Sequence, residues 1–216
     1  MRYISNSKKG IARDRNQDRI LIVECDAFYL FTLFDGVSSY PNSYKFINEF
    51  KKEIRKKKYD IDSNGTNLDK LLHDINKQII KKGVKGKSTL TGLFYSRLNK
   101  TVKFINIGDS RIYSFSNQFI EQITEDDSLI GRKNVLTKCL GCDILQITDF
   151  KLVKIKNSEN YLMCSDGFYK LMDENLKEYF LTFRFKNIQN IKKKLSQLQR
   201  RKNLDDSSYI LIKDEV

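Results

Sequence analysis

Three times in this chain an apolar run ends close to an aspartate. Phe28–Phe34 (FYLFTLF) runs into Asp35-Gly36, Val102–Ile107 precedes Asp109 in INIGDSR, and Tyr161–Cys164 precedes Asp166 in YLMCSDG. A further pair of acids, Asp205 and Asp206, stands directly before SSYILI. A carboxylate set against a buried strand is costly unless it is paired or binds a cation. One Asp-Gly after a strand is an ordinary turn. Repeated at four strand ends, the pattern asks for a fold in which those ends converge.

The remaining periodicities say what such a fold contains. In NSYKFINEFKKEIRKKK, Ile47, Phe50 and Ile54 share one helical face. In TNLDKLLHDINKQII, Leu68, Leu71, Leu72, Ile75 and Ile79 follow the 3.6-residue period, which predicts a second helix capped by Thr66 or Asn67 and ended by Gly83 and Gly86. Strands are predicted at Phe28–Phe34, Thr89–Tyr95, Val102–Ile107, Ile112–Phe115, Phe150–Ile155, Tyr161–Cys164 and Tyr209–Ile212, with another helix over Asn187–Arg200. Strands that follow one another through short turns imply antiparallel sheets covered by helices on their outer faces. The expected class is α+β.

The 216 residues hold a single proline, no repeat and no low-complexity run, so one domain over 1–216 is expected. No apolar stretch is long enough for a membrane span, and the opening MRYISNSKKG has no signal-peptide core, which points to a cytoplasmic protein. Four scattered cysteines do not make a disulfide framework. Cys139-x-x-Cys142 has the spacing of half a zinc site or a redox pair. Without a second half it reads as buried, reduced thiols, and the one histidine, His73, reads as a partly exposed helical side chain. The net charge of +13 lies largely in lysine-rich helical stretches that a solvated face explains. Aromatic residues are not interleaved with them, so nucleic acid is not the expected partner.

A pocket of converging aspartates offers oxygen ligands almost alone, which suits magnesium or manganese over zinc or copper. Two such ions can share a water, lower its pKa and clamp an in-line displacement at phosphorus. An arginine would grip the phosphate oxygens in a fork, and Arg13 or Arg111 could supply it.

Taken in order, the motifs resemble those of the type 2C (PPM) family of metal-dependent protein phosphatases, in a minimal, bacterial-like form. GIARDRNQD, FDGVSS, KSTLTGLFYS, INIGDSRIYSF, ITEDDSL, LTKCLG, YLMCSDGFYKLM and LDDSSYILI span residues 10–212 in the family's order. The resemblance implies a four-layer α/β/β/α sandwich of two mainly antiparallel sheets flanked by helices. It implies hydrolysis of phosphoserine and phosphothreonine monoesters by a metal-activated water. Asp35 would bridge two Mn2+ or Mg2+ ions, the Gly36 carbonyl would bind one, and Asp166 and Asp205 would complete the first site. Asp18 would orient bound water, Arg13 would bind phosphate, and Asp109 with Asp166 could hold a third ion. The implied partner is a phosphorylated protein, in opposition to a serine/threonine kinase; a monomer is expected.

The chain also departs from the pattern. Val37 follows the Asp-Gly where some members carry a histidine, and Asp206 stands where asparagine is usual. Only Ile130 to Val135 separates ITEDDSL from LTKCLG, where many bacterial members have a helical insertion and flap, so an open cleft is expected. The alternative reading is a pseudophosphatase, a regulatory binding module that keeps the fold without the chemistry.

Overall fold

The computed structural model describes residues 1–156, 160–200 and 202–213, with side chains at all of these except 133 and 134. Its strands are β1 (Arg2–Lys8), β2 (Arg19–Glu24), β3 (Phe28–Phe34), β4 (Leu90–Ser96), β5 (Thr101–Ile107), β6 (Arg111–Phe115), β7 (Ile120–Gln122), β8 (Ser128–Leu129), β9 (Arg132–Leu136), β10 (Val153–Ile155), β11 (Asn160–Cys164) and β12 (Ser207–Lys213). Its α-helices are α1 (Ser43–Lys56), α2 (Leu68–Lys81), α3 (Asp166–Glu174), α4 (Leu176–Phe183) and α5 (Ile188–Leu198).

The strands form two five-stranded sheets, β10-β5-β4-β3-β2 and β1-β12-β11-β6-β7, with β8-β9 as a separate hairpin. The pairings are antiparallel. All seven residues of β3 are buried, because both of its faces are covered. Side chains alternate between the faces of a strand. Phe28, Leu30 and Phe34 accordingly pack with residues of α1 and α2, while Tyr29, Phe31 and Leu33 meet the other sheet. On β12, Ile210 and Ile212 face the sheet interface, and Tyr209 and Leu211 pack with α3, α4 and α5. Three apolar layers therefore separate four layers of structure, which is the expected α/β/β/α sandwich.

Several local expectations change. The sheets also contain β1 and β2, which the apolar pattern did not pick out, and the segment after Cys164 forms α3 and α4. The stretch Phe150–Ile155 is divided: Ile147–Phe150 is a 3-10 turn and only Val153–Ile155 is strand. Asn67 stands at the N-cap of α2 but makes no side-chain capping bond. Its amide instead donates to the Asp60 carbonyl, and its oxygen accepts from the Asp62 N–H. The helix ends as expected, with Gly83 at φ +73° and its N–H bonded to Ile80, while Val84 N–H reaches Ile79. His73 is buried rather than partly exposed, edge-on to the Phe150 ring at 5.5 Å between centroids.

Candidate active site

Each acid is delivered by the end of a strand. Asp35 follows β3 and is fixed through its backbone: its N–H donates to Thr89 Oγ1 and its carbonyl accepts from Thr89 N–H, both at 2.9 Å. Thr89 is in turn bonded to the Ser110 hydroxyl at 2.9 Å. Asp109 lies in the turn from β5 to β6, after Gly108 at φ +105°. Asp166 is the first residue of α3, directly after Ser165. Asp205 precedes β12. A Cβ on Gly167 would run into the Asp206 carbonyl, so glycine lets the start of α3 approach the Asp205–Asp206 segment.

These residues line one cleft of about 420 Å³: Arg13, Asp35, Gly36, Asp109, Asp166 and Asp205, with Thr89, Lys170 and the Val37–Ser39 loop. Asp18 lies behind it, 1% exposed, and neither of its carboxylate oxygens has a hydrogen-bond partner among the described residues. Burial, joined by the charges of Asp206 and Asp166, pushes the Asp18 carboxyl upward. The neighbouring Ser208 and Ser165 hydroxyls lower it again, but only in part. Burial likewise raises Asp35 well above the ordinary carboxylate range, and Asp18, Asp166, Asp109 and Asp205 add to the rise. Asp109 is pushed up to about 6, by burial first and then by Asp166 and Asp126.

Two cations of the chain answer this negative charge. Arg13 donates from Nε to Asp205 Oδ1 at 2.6 Å and from Nη2 to Oδ2 at 2.5 Å. Burial alone would raise Asp205, but this fork outweighs it and holds the carboxyl below its usual value. Lys170 Nζ donates to Asp166 Oδ2 at 2.6 Å, one helical turn along α3. Among the described residues no three His, Cys, Asp or Glu side chains already stand as a ligand set; two of the acids are turned to these cations. The donors still fit a hard divalent ion. They are carboxylates and a carbonyl, they outnumber the cations beside them, and Asp18 keeps two buried acceptors unused.

Arg111 is not available as a phosphate fork. It grips Asp126 at 2.8 Å, donates to the Tyr113 hydroxyl at 3.2 Å, and its guanidinium lies 3.7 Å from the centre of the Tyr169 ring. Of the two arginines, only Arg13 faces the cleft. Asp206 does not point into the cleft either. Its Oδ1 accepts from Gly10 N–H at 2.9 Å and its Oδ2 from Gln17 N–H at 2.7 Å, which ties both ends of the Arg13 loop to the last strand. The residues between the ITEDDSL and LTKCLG motifs lie within the β8–β9 hairpin, whose exposed tip is at Leu129–Ile130 and whose Leu136 is at the cleft wall. Sequence reasoning missed Thr89 and Lys170. Lys170 was within reach, since it stands four residues after Asp166 in a helical stretch.

No family model matches the chain. The curated serine/threonine phosphatase stp of Listeria monocytogenes serotype 4b is 29% identical over 136 residues, which cover 53% of this chain and 54% of that protein. The chain thus spans about half the length of the curated relatives it matches. In fold, the Mycobacterium tuberculosis serine/threonine phosphatase PstP/Ppp matches 100% of the chain and 99% of its own, with a TM-score of 0.79 at 19% identity. Staphylococcus aureus Stp1 matches 99% of the chain and 95% of its own, with a TM-score of 0.78 at 21% identity. The resemblance to the bacterial type 2C, or PPM, serine/threonine phosphatases is thereby shown in sequence over half the chain and in fold over all of it.

Proposed function

We propose that the chain is a metal-dependent serine/threonine phosphatase domain, acting on phosphoserine and phosphothreonine in protein substrates. The observation that carries the reading is the cleft itself. Asp35, Asp109, Asp166 and Asp205 face it, Asp18 lies buried behind it with two unused oxygens, and one forked arginine stands at its wall. No observation favours the pseudophosphatase, because Asp35, Asp109, Asp166 and Asp205 line the cleft and Asp18 lies behind it.

Asp35, the Gly36 carbonyl, Asp166 and Asp205 would hold two Mn2+ or Mg2+ ions, and Asp109 with Asp166 a third. When bound, such ions supply the positive charge that lowers the pKa of a water and stabilises the charge developing on a transferring phosphoryl group. The chain's part is placement. Thr89 fixes the backbone of Asp35 through both its N–H and its carbonyl, which sets the point from which the carboxylate enters the cleft. Asp18 offers its oxygens as acceptors that would orient water in the cleft. Arg13 binds Asp205 in a planar fork, and the same geometry suits two oxygens of a phosphate once Asp205 turns to an ion.

A cleft edged by a hairpin whose tip is exposed would suit an extended peptide. The test is release of phosphate from a phosphothreonine peptide with manganese and then with excess chelator. The proposal expects turnover in the first case and its loss in the second. Equal turnover in both would overturn it.

A further inference from the structure

Outside the acidic cleft the chain places two thiols together. The Cys139 and Cys142 sulfurs are 2.9 Å apart at the ends of a four-residue turn. The turn is held from several sides. Leu140 N–H donates to the Ser88 carbonyl at 2.7 Å, and Gly141 N–H donates to Asn76 Oδ1 on α2 at 2.9 Å. Gly141 has φ +83°, and a Cβ there would strike the Gly86 carbonyl. Left-handed backbone at the third position lets a turn double back, and here it brings the two sulfurs together.

The two thiols are not equivalent. Cys139 is buried and Cys142 half-buried, so Cys142 is the more accessible of the two to a reagent from solvent. The two sulfurs share a hydrogen bond that either thiol can donate, and the Lys87 ammonium stands beside Cys142. Together they hold the Cys142 thiol below its usual range against the effect of burial, while Cys139 is pushed up. Lys87 is kept in place by Tyr40, whose ring centre is 4.7 Å from its Nζ. A partly exposed thiolate beside a lysine, with a second thiol in contact, is the arrangement of a reactive dithiol. A zinc site needs four ligands, and among the described residues no group of His, Cys, Asp or Glu side chains completes one here.

We propose that Cys139 and Cys142 form a redox-active dithiol, oxidised to an intramolecular disulfide by low-molecular-weight disulfides. Cys142 loses its proton and its thiolate attacks one sulfur of the reagent R–S–S–R. The Cys142–S–S–R bond forms as the reagent's bond breaks, and one R–S– leaves, taking up a proton as R–SH. Cys139, deprotonated in turn, attacks Cys142 Sγ and displaces the second R–S–, which also leaves as R–SH. The dithiol is oxidised by two electrons and the reagent reduced by two. The Gly141 turn already holds the sulfurs in contact, so the second step asks for little movement of the backbone.

The experiment incubates the folded chain with oxidised glutathione and maps each cysteine by mass spectrometry. The expected product is a Cys139–Cys142 bond that dithiothreitol reverses. In Cys139→Ser, glutathione should be trapped on Cys142, about tenfold faster than on Cys25 in the same sample. In Cys142→Ser, Cys139 should stay unmodified. The proposal is overturned if the unsubstituted chain takes glutathione on Cys25 while both turn cysteines remain thiols, or if the two variants trap it equally. Should either variant fail to fold, the map of the unsubstituted chain decides alone.

Discussion

Arg13 and Asp205 lie 192 residues apart in the chain and share a forked pair of hydrogen bonds at the cleft wall. In the proposed mechanism the same two groups serve a phosphate and a metal ion, so the ion pair is one they must give up. The pair offsets part of the cleft's negative charge. Removing one partner should therefore affect binding of metal and of substrate in opposite directions.

Arg13→Ala is expected to lower kcat/KM on a phosphothreonine peptide about 100-fold, the scale of losing one preorganised charge donor. It should also tighten manganese binding, because Asp205 no longer has to leave a guanidinium. Titration of manganese against the variant checks this, and weaker binding would contradict the shared role of Asp205.

Asp206 is expected to matter for folding more than for chemistry. Its carboxylate accepts from the N–H groups of Gly10 and Gln17, and it is buried. Asp206→Ala leaves both donors without a partner and should cost about 3 kcal/mol, read as a lower urea midpoint. Asp206→Asn keeps one acceptor and should cost less. Equal stability of all three chains would show the Arg13 loop is held by other contacts.

The acid limb of stability has a local marker away from the cleft. Burial tends to raise Asp62, but hydrogen bonds from the Thr66 hydroxyl and the Asn64 and Asn67 N–H groups outweigh it and hold the carboxyl down to about 2. A carboxyl depressed on folding stabilises the fold above its unfolded pKa, and that contribution fades as pH falls through the folded value. Asp62→Ala should be less stable than the unsubstituted chain at pH 7, and the gap should narrow between about pH 4 and pH 2. Denaturant melts across that range provide the check, and a constant gap would count against it.

Net charge bears on encounter. With +13 on the chain, long-range steering of an acidic phosphopeptide should be screened by salt. We expect kcat/KM for such a peptide to fall as ionic strength rises, and to change little for a neutral peptide. A flat profile for both would remove steering from the account.

The layers were legible in the sequence for a physical reason. A strand buried on both faces reads as an unbroken apolar run, and Phe28–Phe34 is such a strand. Leu68–Lys81 shows one apolar face because α2 covers a sheet with that face only. By contrast β1, RYISNSK, pairs with β12 alone at a sheet edge and buries just Ile4, so it leaves almost no apolar signal. The acids of the cleft were legible because each stands at a strand end. Their partners were not: the bonds from Gly10 and Gln17 to Asp206, or from Thr89 to Asp35, join distant segments and have no local pattern. The Asn67 cap failed because Asp60 and Asp62 compete for its amide group.

The most direct measurement is phosphate release from a phosphothreonine peptide at saturating manganese by the unsubstituted chain and by Asp166→Asn. Asparagine keeps the shape at the start of α3 and removes the charge that would hold the ions. The account predicts turnover by the first chain and loss of about 100-fold or more in the variant, with both melting at similar temperatures. Undiminished turnover by a folded Asp166→Asn chain would contradict a metal centre built on these aspartates.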